Sequence, residues 1–145
     1  MTTYVPASRD RAAPRRGRAR TRLAAAAAVV VTVGAGLGLR AVATGSAAKY
    51  GGDALYTVLI FTLIVLALPR VTALRAAAGA LAFSWAVEFL QLTGVPAELS
   101  RHSAVARLVL GSTFNAPDLF WYAVGAAAGW LAHTAAGRRS GRSQH

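Results

Sequence analysis

Three carboxylates fall within or at the edge of three different apolar stretches of this chain, and their spacing allows them to meet. They are Asp53, Glu88 and Asp118; Asp10 and Glu98 complete the acids. Charged groups in or near hydrocarbon are costly, so those found there pair, line a polar cavity or do chemistry. Ser84, Glu88 and Gln91 stand at i, i+4 and i+7, which stacks three polar groups on one helix face. Glu88 lies about 6 Å inside the end of that helix at 1.5 Å per residue, too deep for a capping role. Asp118, Tyr122, Gly125 and Gly129 share a face at i, i+4, i+7 and i+11. Asp53 follows Gly51-Gly52 and reads as a residue at a helix N-terminus, where a carboxylate suits the macrodipole. Arg107 is the expected ionic partner of one acid, with Arg101 in reserve. The candidate polar cluster is therefore Asp53, Glu88, Gln91, Arg107, Asp118 and Tyr122.

The chemistry open to this set is limited. Two carboxylates and a histidine could move protons between them. No nucleophile–base constellation, phosphate-cradling loop or His-Glu-x-x-His spacing is present, and there is no cysteine. His102 and His133 read as facing opposite compartments. No cofactor and no metal are expected, and no catalytic residue can be assigned. Binding of a cationic or zwitterionic group leads over two alternatives: an enzyme acting on an envelope substrate, and a proton-coupled transporter with Glu88 as relay. Four short spans are few for alternating access, so a transporter would work as a homo-oligomer.

Four apolar stretches must position these residues, over approximately Leu23–Leu39, Ala54–Leu68, Ala76–Leu92 and Leu119–Ala136. With 55% hydrophobic residues and a mean hydropathy of +0.45, too little polar sequence remains to cover a soluble core. The spacing predicts an all-α integral membrane four-helix bundle. A short outer-face helix, Ala97–Leu110, falls in the long connection between the third and fourth spans. Gly34-x-x-x-Gly38 and Gly125-x-x-x-Gly129 offer faces for close helix contact. Trp121 and Trp130 suit the two interfaces as anchors.

Charge orients the bundle. Arg9, Arg11, Arg15, Arg16, Arg18, Arg20 and Arg22 precede the first span, and Arg138, Arg139 and Arg142 follow the last. Arg70 and Arg75 mark the turn between the second and third spans. These outnumber Arg40, Lys49, Arg101 and Arg107 in the other connections, which places both termini in the cytoplasm. Residues 1–22 read as a disordered basic tail suited to anionic lipid, 23–136 as the four-span domain and 137–145 as a second basic tail. No aromatic or folded module accompanies the tail charge, so nucleic acid is not an expected partner. The bilayer is. Ala41-Val42-Ala43 after the first span resembles a signal-cleavage stretch, but Arg40 interrupts it and the span is long for a signal, so retention is expected. Arg-for-Lys usage in an Ala-rich chain points to a GC-rich bacterial genome, and the spans with their charge distribution point to the bacterial cytoplasmic (inner) membrane.

The set Gly52-Asp53-Ala54-Leu55-Tyr56, Glu88-Phe89-Leu90-Gln91-Leu92, Arg107 to Phe114, and Asp118-Leu119 with Tyr122 and Gly125 resembles the bacterial membrane-protein family called domain of unknown function 2809. The likeness runs from about Leu23 to Ala136. It implies a small multi-span protein and brings no activity with it. More distantly, the Glu-x-x-Gln, Arg and Asp-Leu pattern is similar to the VanZ-like family, some members of which are linked to teicoplanin resistance. That family tends to carry Asn at the place of Tyr122.

Overall fold

The computed structural model describes residues 13–142, and among them every regular element is a helix. In chain order these are α1 (Ala13–Val42), α2 (Gly45–Ala67), α3 (Ala73–Gln91), α4 (Val95–His102), α5 (Ala104–Leu110) and α6 (Ala116–Arg142). Residues 13–22 of the expected disordered tail thus extend α1, because the Ala- and Arg-rich sequence favours helix. Residues 1–12 of that tail lie outside the described residues. At the other end α6 continues to Arg142, and only residues 143–145 of the second tail lie outside.

Local chemistry sets the breaks. Gly45 opens α2 at φ 63°, a conformation glycine takes without strain. Leu68 leaves the helical region before Pro69, as residues preceding proline do, and this ends α2. Thr72 caps α3 by accepting from the Arg75 N–H at 3.3 Å. The expected helix over Ala97–Leu110 is in fact two. Ser103 takes extended backbone (φ −143°, ψ 120°) and its Oγ accepts from the Ala106 N–H at 3.2 Å, closing α4 and capping α5.

α2 also starts earlier than Ala54. Gly51 and Gly52 lie within it, so Asp53 sits well inside the helix and not at its N-terminus. Gly51 has a packing reason: a Cβ there would stand 2.6 Å from Leu39 Cδ2 on α1.

Among the described residues three helices are long and apolar enough to cross a membrane: Gly17–Val42 within α1, then α2 and α3. α6, the expected fourth span, is long enough but less apolar, since Trp121, Tyr122, Trp130, His133 and Thr134 dilute its Ala and Gly. The packing also departs from a closed four-helix bundle. α2, α3 and α6 pack on one another, whereas among the described residues α1 packs on α2 alone. α4 and α5 fold back against α3. Small and polar residues make up most of the interior, with Phe61, Val65 and Val87 among them, and many large apolar residues face outward. Ala76, Ala80, Thr57, Ser84 and Glu88 are completely buried, while Leu23, Val30, Leu74 and Phe120 are exposed. This pattern inverts that of a soluble domain and suits helices held together by close packing and interhelical hydrogen bonds within lipid.

Candidate functional site

The glycines of α6 bring the site's helices together. A Cβ on Gly125 would collide with the Ala54 carbonyl of α2, and one on Gly129 would stand 2.9 Å from the Phe61 ring. α6 therefore runs close beside α2 in the same direction, with α3 antiparallel to both. This topology gathers the start of α2, the end of α3 and the start of α6 at one end of the molecule. The Trp85 indole reinforces the α3–α6 contact by donating to the Leu119 carbonyl at 3.1 Å.

Glu88 is the centre of that end. It is fully buried, and each carboxylate oxygen has one donor. The Asn115 backbone N–H donates to Oε1 at 2.5 Å, and the Tyr122 hydroxyl donates to Oε2 at 3.0 Å. A carboxylate with two such donors is tolerated where an unpaired one would not be. Asp118 is also buried and forms an ion pair with Lys49, while the Asn115 side-chain amide donates to its other oxygen. Lys49 lies 3.6 Å from Asp53, one helical turn along α2. Below these groups Thr57 and Ser84 form a buried hydroxyl pair at 3.0 Å, which extends the polar column inward between α2 and α3.

The structure thus draws Asp53, Glu88, Asp118 and Tyr122 into one cluster and leaves the expected arginines out of it. Arg107 is exposed on α5 and forms no ion pair among the described residues. Arg101 pairs with Glu98 within α4. The cation is Lys49, which the placement of residues 40–52 in a connection had set apart from the site. Its i−4 relation to Asp53 was the available signal, visible only once that stretch is helical. Asn115 is the other addition. Gln91 stands apart from the acids: its Nε2 donates to the Leu110 carbonyl at 2.7 Å and ties α5 to the end of α3.

Further contacts close this end. Tyr56 donates to the Val109 carbonyl at 2.9 Å, and Ser100 to the Gly111 carbonyl at 2.7 Å. Gly111 takes φ 65°, and a Cβ there would meet the Gln91 amide at 2.6 Å. Trp121 stacks on Tyr50 with ring centroids 5.5 Å apart, so it also braces α6 against α2. His102 lies beside the Glu98 carboxylate and His133 packs edge-on against Phe61, so neither belongs to the cluster. Among the described residues no group of three His, Asp or Glu side chains has an arrangement that could hold a metal ion.

Three carboxylates and one lysine make the cluster's formal charge negative when all are ionised. Both oxygens of Glu88 are engaged. Asp53 Oδ2 is buried without a hydrogen-bond partner, although its side chain as a whole is 20% exposed. The arrangement can clasp three helix ends and still offers a carboxylate for a proton or a cation.

A family model described as protein of unknown function (DUF2809) matches residues 42–126. That segment runs from the end of α1 to just past Gly125 of α6 and contains every residue of the cluster. No curated protein and no solved structure matches the chain.

Proposed function

The chain belongs to the family of proteins of unknown function DUF2809, and from that premise we propose that it is an integral protein of the bacterial cytoplasmic membrane whose carboxylate cluster receives an ammonium-bearing group at the outer face. In this reading α6 is the fourth span and both termini are cytoplasmic. The orientation rests on charge: Arg70 and Arg75 mark the end opposite the cluster, where the arginines that begin α1 and end α6 also lie. The ligand is a zwitterionic lipid headgroup or a cationic envelope component.

The observation that carries the reading is the excess of acid. Asp53 and Asp118 share Lys49, Glu88 has no cation paired with it among the described residues, and Asp53 Oδ2, 3.6 Å from the Lys49 ammonium, has no hydrogen-bond donor. Buried carboxylates in such excess raise the free energy until a proton or an external cation neutralises them. The start of α2 would lie where a phospholipid ammonium resides. The same geometry favours binding over a proton relay through Glu88, because both its oxygens are held by fixed donors.

The test is retention of phosphatidylethanolamine, against phosphatidylglycerol, by purified protein in native mass spectrometry. Asp53→Asn keeps the shape and removes the charge. It is expected to lower phosphatidylethanolamine retention and leave helical content unchanged. Equal retention in the wild type and this variant would refute the proposal.

A further inference from the structure

The end of the molecule remote from the carboxylates has a feature that the cluster does not explain. The start of α1 and the turn from α2 to α3 enclose an open groove of about 840 Å³, whose lining includes Arg18, Arg22, Arg70, Leu68, Pro69 and Val71. Arg18 and Arg22 are one helical turn apart and share a face of α1, and Arg70 projects from the turn to the same groove. No lining residue is acidic. Arg18 is half-buried, whereas Arg22 and Arg70 are exposed.

From this geometry we infer that the groove binds the phosphate of an anionic phospholipid, at a site separate from the carboxylate cluster. Guanidinium groups match phosphate oxygens with forked, charge-assisted hydrogen bonds. Basic pockets between helices at a membrane surface are suited to anionic headgroups. The groove's volume falls within the range of small-ligand sites and exceeds the needs of a bare ion. Its apolar part decides between a lipid and a soluble anion. Leu68 and Val71 lie beside the arginines, and Leu68 and Leu74 are exposed next to the membrane-length segments. An amphiphile satisfies both surfaces, with its phosphate on the arginines and its glycerol and upper acyl chain on the leucines. A soluble phosphate leaves the apolar side uncovered.

The experiment uses the full chain in nanodiscs containing equal amounts of phosphatidylglycerol and phosphatidylethanolamine, with co-released lipid identified by native mass spectrometry. The wild type is expected to retain phosphatidylglycerol at the groove in addition to the phosphatidylethanolamine held at the carboxylate cluster. At about five-fold per arginine near a membrane surface, Arg22→Gln with Arg70→Gln should lose about 25-fold in that retention. Arg101→Gln, at the other end, should lose nothing. If the double variant fails to accumulate, Arg70→Gln alone, on an exposed turn, should lose about five-fold. Undiminished retention in either variant would overturn the inference. So would displacement of the lipid by millimolar inorganic phosphate, which would mark a soluble-anion site, or by an acidic peptide, which would mark a protein-docking site.

Discussion

Removing one oxygen atom from Tyr122 should weaken the whole three-helix core. In Tyr122→Phe the ring keeps its packing, but Oε2 of the fully buried Glu88 loses its only donor, now at 3.0 Å. Water cannot replace that donor at a site with no exposure. A hydrogen bond to a charged group contributes about 1.5–3 kcal/mol in a protein interior. Interhelical bonds measured within membranes average about 0.6 and reach about 1.7 kcal/mol. Complete burial places this bond at the upper end of the membrane range, so the expected loss is about 1.5 kcal/mol, roughly a factor of ten in the unfolding equilibrium. The assay is reversible unfolding in mixed micelles, run as a double-mutant cycle with Glu88→Leu. In the Glu88→Leu background the hydroxyl has no acceptor, so Tyr122→Phe should cost nothing or stabilise slightly. A coupling energy of about 1.5 kcal/mol is therefore expected. If Tyr122→Phe costs the same in both backgrounds, the bond is not what holds α3 to α6.

Three contrasts test the rest of the architecture. Gly125→Ala forces a Cβ into the Ala54 carbonyl and should destabilise by about 1–3 kcal/mol, whereas Gly38→Ala, with nothing within 4 Å, should change unfolding by less than about 0.5 kcal/mol. Lys49→Gln leaves the buried Asp118 without its cation and should lower folded yield and unfolding midpoint clearly; Arg107→Gln should leave both unchanged. Thr57→Val or Ser84→Ala alone should each cost about 1 kcal/mol by leaving the other hydroxyl unpaired, and the double change should cost less than the sum of the two in the same assay.

Periodicity made the third helix legible. Ser84 and Glu88 repeat at the helical spacing, and both are completely buried. The partners of Glu88 were not legible to the same degree. Tyr122 shared a face with Asp118 and could be placed near it, but the other donor is the backbone N–H of Asn115, which no side-chain type announces. The choice of Arg107 over Lys49 had a definite physical cause. Gly51-Gly52 reads as a loop, which strands Lys49 outside α2; in the structure Gly51 is small because Leu39 packs on it. Two identical glycine spacings had different outcomes for a related reason. Gly125 and Gly129 face a neighbour, while α1 packs on α2 alone and turns Gly34 and Gly38 away from it. A small-residue spacing marks where a helix could approach, and only the topology decides whether one does. Ser103 shows the same limit on a shorter scale: a residue of ordinary helix tolerance breaks one expected helix into two by capping the second.

Zero-length coupling tests most directly whether Asp53 meets an ammonium group from the lipid headgroup layer. A carbodiimide activates a carboxylate toward a primary amine in contact with it, forming an amide while the carbodiimide takes up the elements of water and leaves as a urea. In bilayers of phosphatidylethanolamine, a single lipid adduct is expected on the peptide that contains Asp53. The adduct should be absent from Asp53→Asn and from bilayers of phosphatidylcholine, which has no primary amine. An adduct confined to the exposed Glu98, or an Asp53 peptide that carries no lipid, would contradict that contact.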